Sequence, residues 1–322
     1  MTSGPSSSTA STSNEDNIAP SSSSLLLQLE EILNPEHYVS KFTDHNVRPD
    51  NRPLYACRPT TILAKTFTKR KHTGSALVRL GVCNTQCVAA THLEVGICNV
   101  NSLYARGEIV VKFNGYSDNK SNRNANAEAR EMESFLNTSF AHSSGLFDLK
   151  QLVLKSQNNA TGTVKSMLAW RIVVNVVCLN EDGNVRDAAY LATLVALLDT
   201  TIPELGTDYI IREDNNLVQM IESSKSVEDK KLKLQKIPIP LTVGIFDQGE
   251  TNDIKLMVDP TGLEEATLSG TITVIMTADG EVVSVYKPGG IALNSDQIAA
   301  CMQLGIGRAK EIKLLLTNLM SI

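Results

Sequence analysis

Residues 178–199 read CLNEDGNVRDAAYLATLVALLD. An apolar strand end, an acidic turn and a long apolar helix follow one another without a linker. Residues 188–199 are apolar nearly all round, which predicts a buried helix. One basic residue, Arg186, stands just before it, where a helix N-terminus could hold a phosphate.

Upstream, from Arg48, the pattern is of strands. TTILAKTFT, GSALVRLG, CVAATHLEVG, EIVVKFNGY, LKQLVL and MLAWRIVVNVVCLN are rich in β-branched and small apolar residues and break at Gly or basic turns. The last is apolar almost throughout, so burial on both faces is expected. Between them, NKSNRNANAEAREMESFLNTSF opens polar and turns helical, with Ala129, Met132, Phe135 and Leu136 on one face. Downstream, residues 212–236 are charged and Gly-free and read as an exposed connection. A second half then repeats the style of the first. Strands IPLTVGIFD and IKLMVDPTG precede the hairpin GTITVIMTADGEVVSVYKPGG, whose Asp279-Gly280 supplies a tight turn. Asn294 or Ser295 then caps a long helix. The economical architecture is α+β, two βα halves each with helices packed on one sheet.

The N-terminal segment differs. Residues 1–24 are dominated by Ser and Thr and are expected to be disordered. Residues 25–47 read as two short helices: Ser24 caps the first, Leu26, Leu29 and Leu33 share a face, Asn34-Pro35 ends it, and Tyr38, Val39 and Phe42 line the second.

Composition excludes several classes. The chain has 322 residues, 42% of them apolar, enough for about two domains. A net charge of −5 argues against an autonomous nucleic-acid binder, so any RNA contact must come from local patches or from partners. No apolar run reaches the roughly 18 to 20 residues that span a bilayer, so no membrane role is expected. The six cysteines do not read as a disulfide framework in a chain of this length, which suits a reducing compartment. Cys83, Cys87, His92 and Cys98 lie near one another, but the spacing C-x3-C-x4-H-x5-C lacks a C-x2-C knuckle. Zinc is the minority reading, small apolar packing the majority one. No metal or cofactor is expected. Gly305-Ile306-Gly307-Arg308 falls inside a helical pattern and is no dinucleotide loop. Asn137-Thr-Ser and Asn159-Ala-Thr match glycosylation acceptors without any sign of secretion.

Several stretches together resemble the RNase PH-like ring subunits of the eukaryotic RNA exosome. NVRPDNRPLYACRPTTI resembles the family's opening R-x-D-G-R motif and the arginine after it, with Asn51 in place of the usual Gly. GSALVRLG followed by NTQCVAATHLE resembles its first strand pair, with an apparent two-residue insertion at Val82-Cys83. CLNEDGNVRDAAYLATLVALLDTTIPEL resembles the D-G-N-x-x-D-A helix, and VDPTGLEEATLSGTITVIMTADGEVVSVYKPGG the second-domain block of subunits that lack activity. The likeness runs in order over roughly residues 35–320. It implies an RNase PH-like fold: a ribosomal protein S5 domain 2-like first domain over 48–211, a charged linker over 212–236 and a second RNase PH domain over 237–322. It also implies partners: sibling ring subunits paired as heterodimers in a six-member ring, S1/KH-type cap subunits, an associated hydrolytic nuclease and single-stranded RNA. The expected locations are nucleus, nucleolus and cytoplasm, and the expected work is rRNA maturation and mRNA decay.

The residues speak against chemistry. Active relatives hold phosphate on a Gly-Ser/Thr-Arg turn at a helix N-terminus. Here the corresponding residues are Asn184, Val185 and Arg186, and Val185 has no hydroxyl. Asp187 follows at about the N-cap position, where a carboxylate would occupy the free N–H groups and repel an anion. Arg186 then reads as an ion-pair partner of Asp182 or Asp187, with a residual contact to an RNA backbone phosphate as the alternative. Active relatives also carry two aspartates six positions apart and a third acid beyond. Asp259 matches the first, Glu265 stands at the second and Thr271 at the third. Asp259 otherwise reads as a turn former ahead of Pro260. The resemblance places Arg123 where relatives have a channel-facing arginine, with Lys120 and Arg130 near it. Lys69, Arg70 and Lys71 form a charged hairpin tip. Solvated loops are the plain alternative for all of these. The expectation is a non-catalytic subunit; the rival is an active phosphorolytic 3′ exoribonuclease.

Overall fold

The computed structural model describes residues 29–66, 73–82, 84–98, 107–115, 123–140, 145–153, 157–158, 164–203, 213–214, 217–218, 229–247 and 254–320. The Ser/Thr-rich tail and the basic tip at 69–71 lie outside them.

Helices over 29–33 (α1) and Pro35–Thr43 (α2) open the chain. Asn34 caps α2 by accepting a hydrogen bond from His37 N, with Pro35 at the first helical position. Strands β1 (Thr60–Ala64), β2 (Ser75–Leu80), β3 (Thr85–Cys98) and β4 (Glu108–Asn114) follow, then α3 (Arg123–Phe140). Next come β5 (Gln157–Asn158), β6 (Val164–Asn180), α4 (Val185–Asp199) and β7 (Thr201–Pro203). The short pieces β8 (Glu213–Asp214), β9 (Leu217–Val218) and β10 (Asp229–Lys231) lead into the second half. It holds β11 (Ile239–Asp247), β12 (Ile254–Val258), α5 (Gly262–Glu265), β13 (Gly270–Met276), β14 (Val282–Tyr286) and α6 (Ser295–Met320).

The first sheet runs β1-β2-β3-β6-β4, with β5 paired to β6; only β4 lies parallel to its neighbour. Its free β4 edge is closed by α3. The Asn137 side chain donates to Val111 O at 2.7 Å and accepts from Val111 N at 2.8 Å, standing in for a missing strand. That amide is therefore engaged in the fold rather than offered to a glycan. Helix α4 covers one face of this sheet. Residues 187–198 are all buried, because α4 touches the second sheet as well as the first. Gly74 permits the close approach: a Cβ there would lie 1.9 Å from Ala196 O.

The second sheet, β12-β11-β13-β14, is antiparallel throughout. Helix α6 packs on one face through Cys301 and its neighbours, while α2 packs on the other through Val39 against Phe246 and Met257. Asn294 caps α6, exchanging hydrogen bonds with Gln297 at 2.8 Å in both directions.

Three expectations need correcting. LKQLVL is not a strand: Leu149–Leu152 form a 3-10 turn that Asp148 caps through Lys150 N. β6 is not buried on both faces to its end. Beyond Val174 the outer positions open, and Val177 and Leu179 are exposed because α4 covers only the inner face. Nor is the whole of 212–236 an exposed connection. β10 pairs antiparallel with β7, and Leu232 is buried in the first core.

Candidate functional site

The acidic turn before α4 meets the turn after β12. Gly183 has φ +71°, and a Cβ on it would lie 2.4 Å from the Thr261 carbonyl carbon. Only glycine lets the two backbones touch. Asp182 Oδ1 accepts from Gly262 N at 3.1 Å, and Thr85 Oγ1 donates to Gly183 O at 2.5 Å. The turn is thus clamped from both halves.

Arg58 and Asp259 form the centre, 4% and 2% exposed. Arg58 Nε donates to Asp259 Oδ2 at 3.0 Å and Nη2 to Oδ1 at 2.8 Å, a bidentate pair, while Arg58 N also reaches Oδ2 at 2.7 Å. The remaining guanidinium hydrogens go to the carbonyls of Asp182 and Gly183. Asn184 Nδ2 donates to Asp259 Oδ1 at 2.7 Å and Arg52 Nη1 to Oδ2 at 3.2 Å. Burial works to raise the Asp259 carboxyl, but Arg58 and then Asn184 outweigh it and hold the group below the usual carboxylate range. Asp259 is therefore more than a turn former. It has φ +50° and no oxygen left over for a ligand. Beside it, Arg48 and Glu264 are fully buried; Arg48 Nε donates to Glu264 Oε1 at 2.7 Å, Nη2 bonds Oε2, and Nη1 donates to Val258 O at 2.6 Å.

The helix end also departs from expectation. Asn184, at φ +52°, is the N-cap residue and makes no side-chain cap bond, so Asp187 is the third residue of α4. The Asp187 carboxylate leaves its own helix altogether. It accepts from Thr242 N at 2.9 Å and Thr242 Oγ1 at 2.7 Å across the junction, and from Asn184 Nδ2 at 3.0 Å. Burial raises it despite these bonds. The anion that meets the turn is Glu265, whose Oε1 accepts from Asn184 N at 2.7 Å. Burial pushes the Glu265 carboxyl up to about 7, against Asn184 N and Arg186, which lower it. The residue nevertheless keeps an exposed flank, where water screens the carboxylate, so the shift contributes little to stability.

Arg186 pairs with neither Asp182 nor Asp187. Its guanidinium lies 5.0 Å from the Tyr286 ring centre and 5.5 Å from that of Phe135, and Nη2 reaches Glu131 Oε1 at 3.5 Å. Tyr286 Oη donates to the same Glu131 oxygen at 2.9 Å. The arginine is held by an aromatic clamp spanning α3 and β14. Val185 packs against the first core, and Thr271 sits in β13 opposite Gly244, apart from this network.

Of the residues read as RNA contacts, Arg130 is exposed on α3, and Arg123 is the first residue of that helix. Lys120 lies outside the described residues. Cys87 and His92 are five positions apart on β3 and so face opposite sides of the sheet, which separates two of the four zinc candidates. Among the described residues, no group of three His, Cys, Asp or Glu side chains is placed to hold a metal. Nor is any helix among them long and apolar enough to cross a membrane.

Sequence reasoning missed Arg48, Arg52, Arg58 and Glu264. The signal was there: three arginines within eleven residues, ahead of strands, resembling a family motif. Asn51, where relatives carry Gly, has φ +63°. Asn tolerates the left-handed region better than other side chains, so the motif's turn survives the change.

Residues 56–203 match the first domain of the 3′ exoribonuclease family and residues 236–308 match its second domain. The chain belongs to the 3′ exoribonuclease family. Its fold is the two-domain α+β RNase PH fold. An Archaeoglobus fulgidus exosome solved with RNA bound to the active site superposes with TM-score 0.67 at 23% identity, covering 91% of this chain and 99% of that one. Exosome component Rrp42 of Methanosarcina mazei is 26% identical over 279 residues, 86% of this chain and 91% of the relative. Exosome component RRP45A of Arabidopsis thaliana is 32% identical over 142 residues, 44% of each chain. The match to that plant protein thus spans less than half its length.

Proposed function

We propose that this chain is a non-catalytic RNase PH-like ring subunit of the RNA exosome. Sibling RNase PH-like subunits would be its direct partners, as a heterodimer within a six-member ring. S1/KH-type cap subunits sit above, single-stranded RNA passes through, and an associated nuclease supplies hydrolysis. The work is 3′-to-5′ RNA processing and decay, including rRNA maturation and mRNA decay, in nucleus, nucleolus and cytoplasm. Within the family, the second-domain block resembles ribosomal RNA-processing protein forty-three, also called Opa-interacting protein two, and we propose that finer identity. The two units are proposed to run over 48–211 and 237–322.

One observation carries the non-catalytic reading: the junction spends its own acids on itself. Asp259 is locked by Arg58, and the Glu265 carboxylate takes the Asn184 amide, where an active relative would receive phosphate. Arg186, the basic residue such a site needs, is turned into an aromatic clamp. Phosphorolysis needs a free anion cradle and an acid able to assist the leaving group. Both are engaged.

The test is incubation of the purified protein, with and without its partners, with single-stranded RNA and inorganic phosphate. No phosphate-dependent release of nucleoside diphosphates is expected. Release that Asp259→Ala abolishes would establish the rival, an active phosphorolytic exoribonuclease. Co-purification at high salt with other RNase PH-like subunits tests the assembly reading separately.

A further inference from the structure

β10 and the residues after it alternate in direction. Lys231 and Lys233 are exposed, while Leu232 is 4% exposed and Leu234 packs on the first core. The backbone beneath the lysines is pinned. Lys231 stands opposite Thr201 in β7, and Leu232 N donates to Thr200 O at 3.2 Å. Lys233 N and O both bond the Gln151 side chain at 3.0 Å, and Gln235 N donates to Leu146 O at 2.9 Å. Lys150, next to Gln151, is exposed as well. At the other end, Lys65 and Lys231 both lie close enough to Asp199 to act on its carboxyl.

What sets these four lysines apart is their place along one pinned edge; like Lys112, Lys287 and Lys310 among the described residues, they lack the ion pairs that other lysines make. Lys41, Lys236, Lys255 and Lys313 each have a carboxylate within ion-pair distance. Among the described residues, Lys65, Lys150, Lys231 and Lys233 have none. Two carboxylates border the strip and keep their charge, each oriented by a main-chain amide: Asp199 accepts from Ser75 N at 3.2 Å and Asp148 from Lys150 N at 3.1 Å. In a chain of net charge −5, four ammonium groups along one pinned edge outnumber these two carboxylates, and none sits in a close ion pair, which leaves a local positive field.

We propose that the strip Lys65–Lys231–Lys233–Lys150 is a docking track for the sugar–phosphate backbone of single-stranded RNA, bound without regard to base. Ammonium groups meet phosphates as point charges, and the four residues bring neither an aromatic face for stacking nor a guanidinium fork for base edges. The choice of RNA over an acidic protein segment rests on the exoribonuclease family and on the function proposed above. The track is separate from Arg123, Arg130 and Arg186.

Anisotropy of labelled mixed-sequence single-stranded RNA, titrated with the full-length protein over a series of salt concentrations, tests this. Each single-strand phosphate contact contributes about 0.7 to the log–log salt slope, so Lys231→Gln/Lys233→Gln should lower the slope by about 1.4 and weaken binding by about 25-fold at 0.1 M salt. Lys236→Gln/Lys255→Gln removes two ion-paired lysines and should leave the slope as it was. The proposal falls if wild type does not bind, or if Lys231→Gln/Lys233→Gln binds as wild type does. Co-purification of the variants with RNase PH-like subunits reads the assembly function independently of RNA affinity.

Discussion

Asp259 and Glu265 stand six positions apart at one junction, yet they inhabit opposite electrostatic regimes. Asp259 is sealed from water and met by a bidentate guanidinium, a second arginine and an amide, so its carboxyl is held below the usual carboxylate range. Glu265 has only one main-chain N–H and a more distant Arg186 to set against burial, so its carboxyl is pushed upward. Identical chemistry gives opposite behaviour because the number of cationic donors differs, not because of the distance along the chain. The first acid welds the two halves together; the second only fills the mouth of a turn.

The Asp259 lock is most vulnerable at Arg58. Arg58→Met leaves Asp259 buried without its main partner, and loss of one member of a buried pair costs about 3–5 kcal/mol. Urea unfolding should show that loss; a change under about 1 kcal/mol would mean that Asp259 is not held by this pair. Gly183→Ala comes next. It adds left-handed strain and a Cβ within 2.4 Å of the Thr261 carbonyl carbon, together about 2–3 kcal/mol by the same measurement. Arg186→Ala should cost about 1–2 kcal/mol through loss of two ring contacts. It also sharpens the contrast. Millimolar phosphate should leave the thermal midpoint of wild type unmoved, because Glu265 holds the turn. A phosphate-dependent rise that vanishes in Arg186→Ala would return Arg186 to the role of anion ligand.

Local features were legible in the sequence. The D-G hairpin at Asp279-Gly280, the Asn294 cap and the strand pairs of the first sheet follow from short-range turn and alternation chemistry. What escaped lies at long range. Arg58 and Asp259 are 201 positions apart, Asp187 and Thr242 are 55 apart, and Arg186 and Glu131 are 55 apart. No local pattern announces such pairs. Asp187 was misplaced because Gly183 and Asn184 are both left-handed, which starts α4 two residues before the carboxylate. LKQL had the apolar look of a strand, although Asp148 ahead of it was a cap signal.

The smallest effect gives the most direct contrast, because the two carboxylates predict pH slopes of opposite sign. Asp259 has a folded value below its unfolded 3.8, so its contribution is present above 3.8 and is lost as pH falls through the folded value. Glu265 is raised from 4.5 to about 7, so its contribution is complete below 4.5 and is lost as pH rises through about 7. Glu265→Gln keeps an oxygen for the Asn184 amide and cannot ionise. It should match wild type near pH 4.5 and exceed it at pH 8. Solvent on the exposed flank of Glu265 limits the gain to about 1 kcal/mol or less. Urea midpoints across this range measure it. Parallel profiles for variant and wild type would mean that water screens Glu265 completely, and that the turn holds no charge worth displacing.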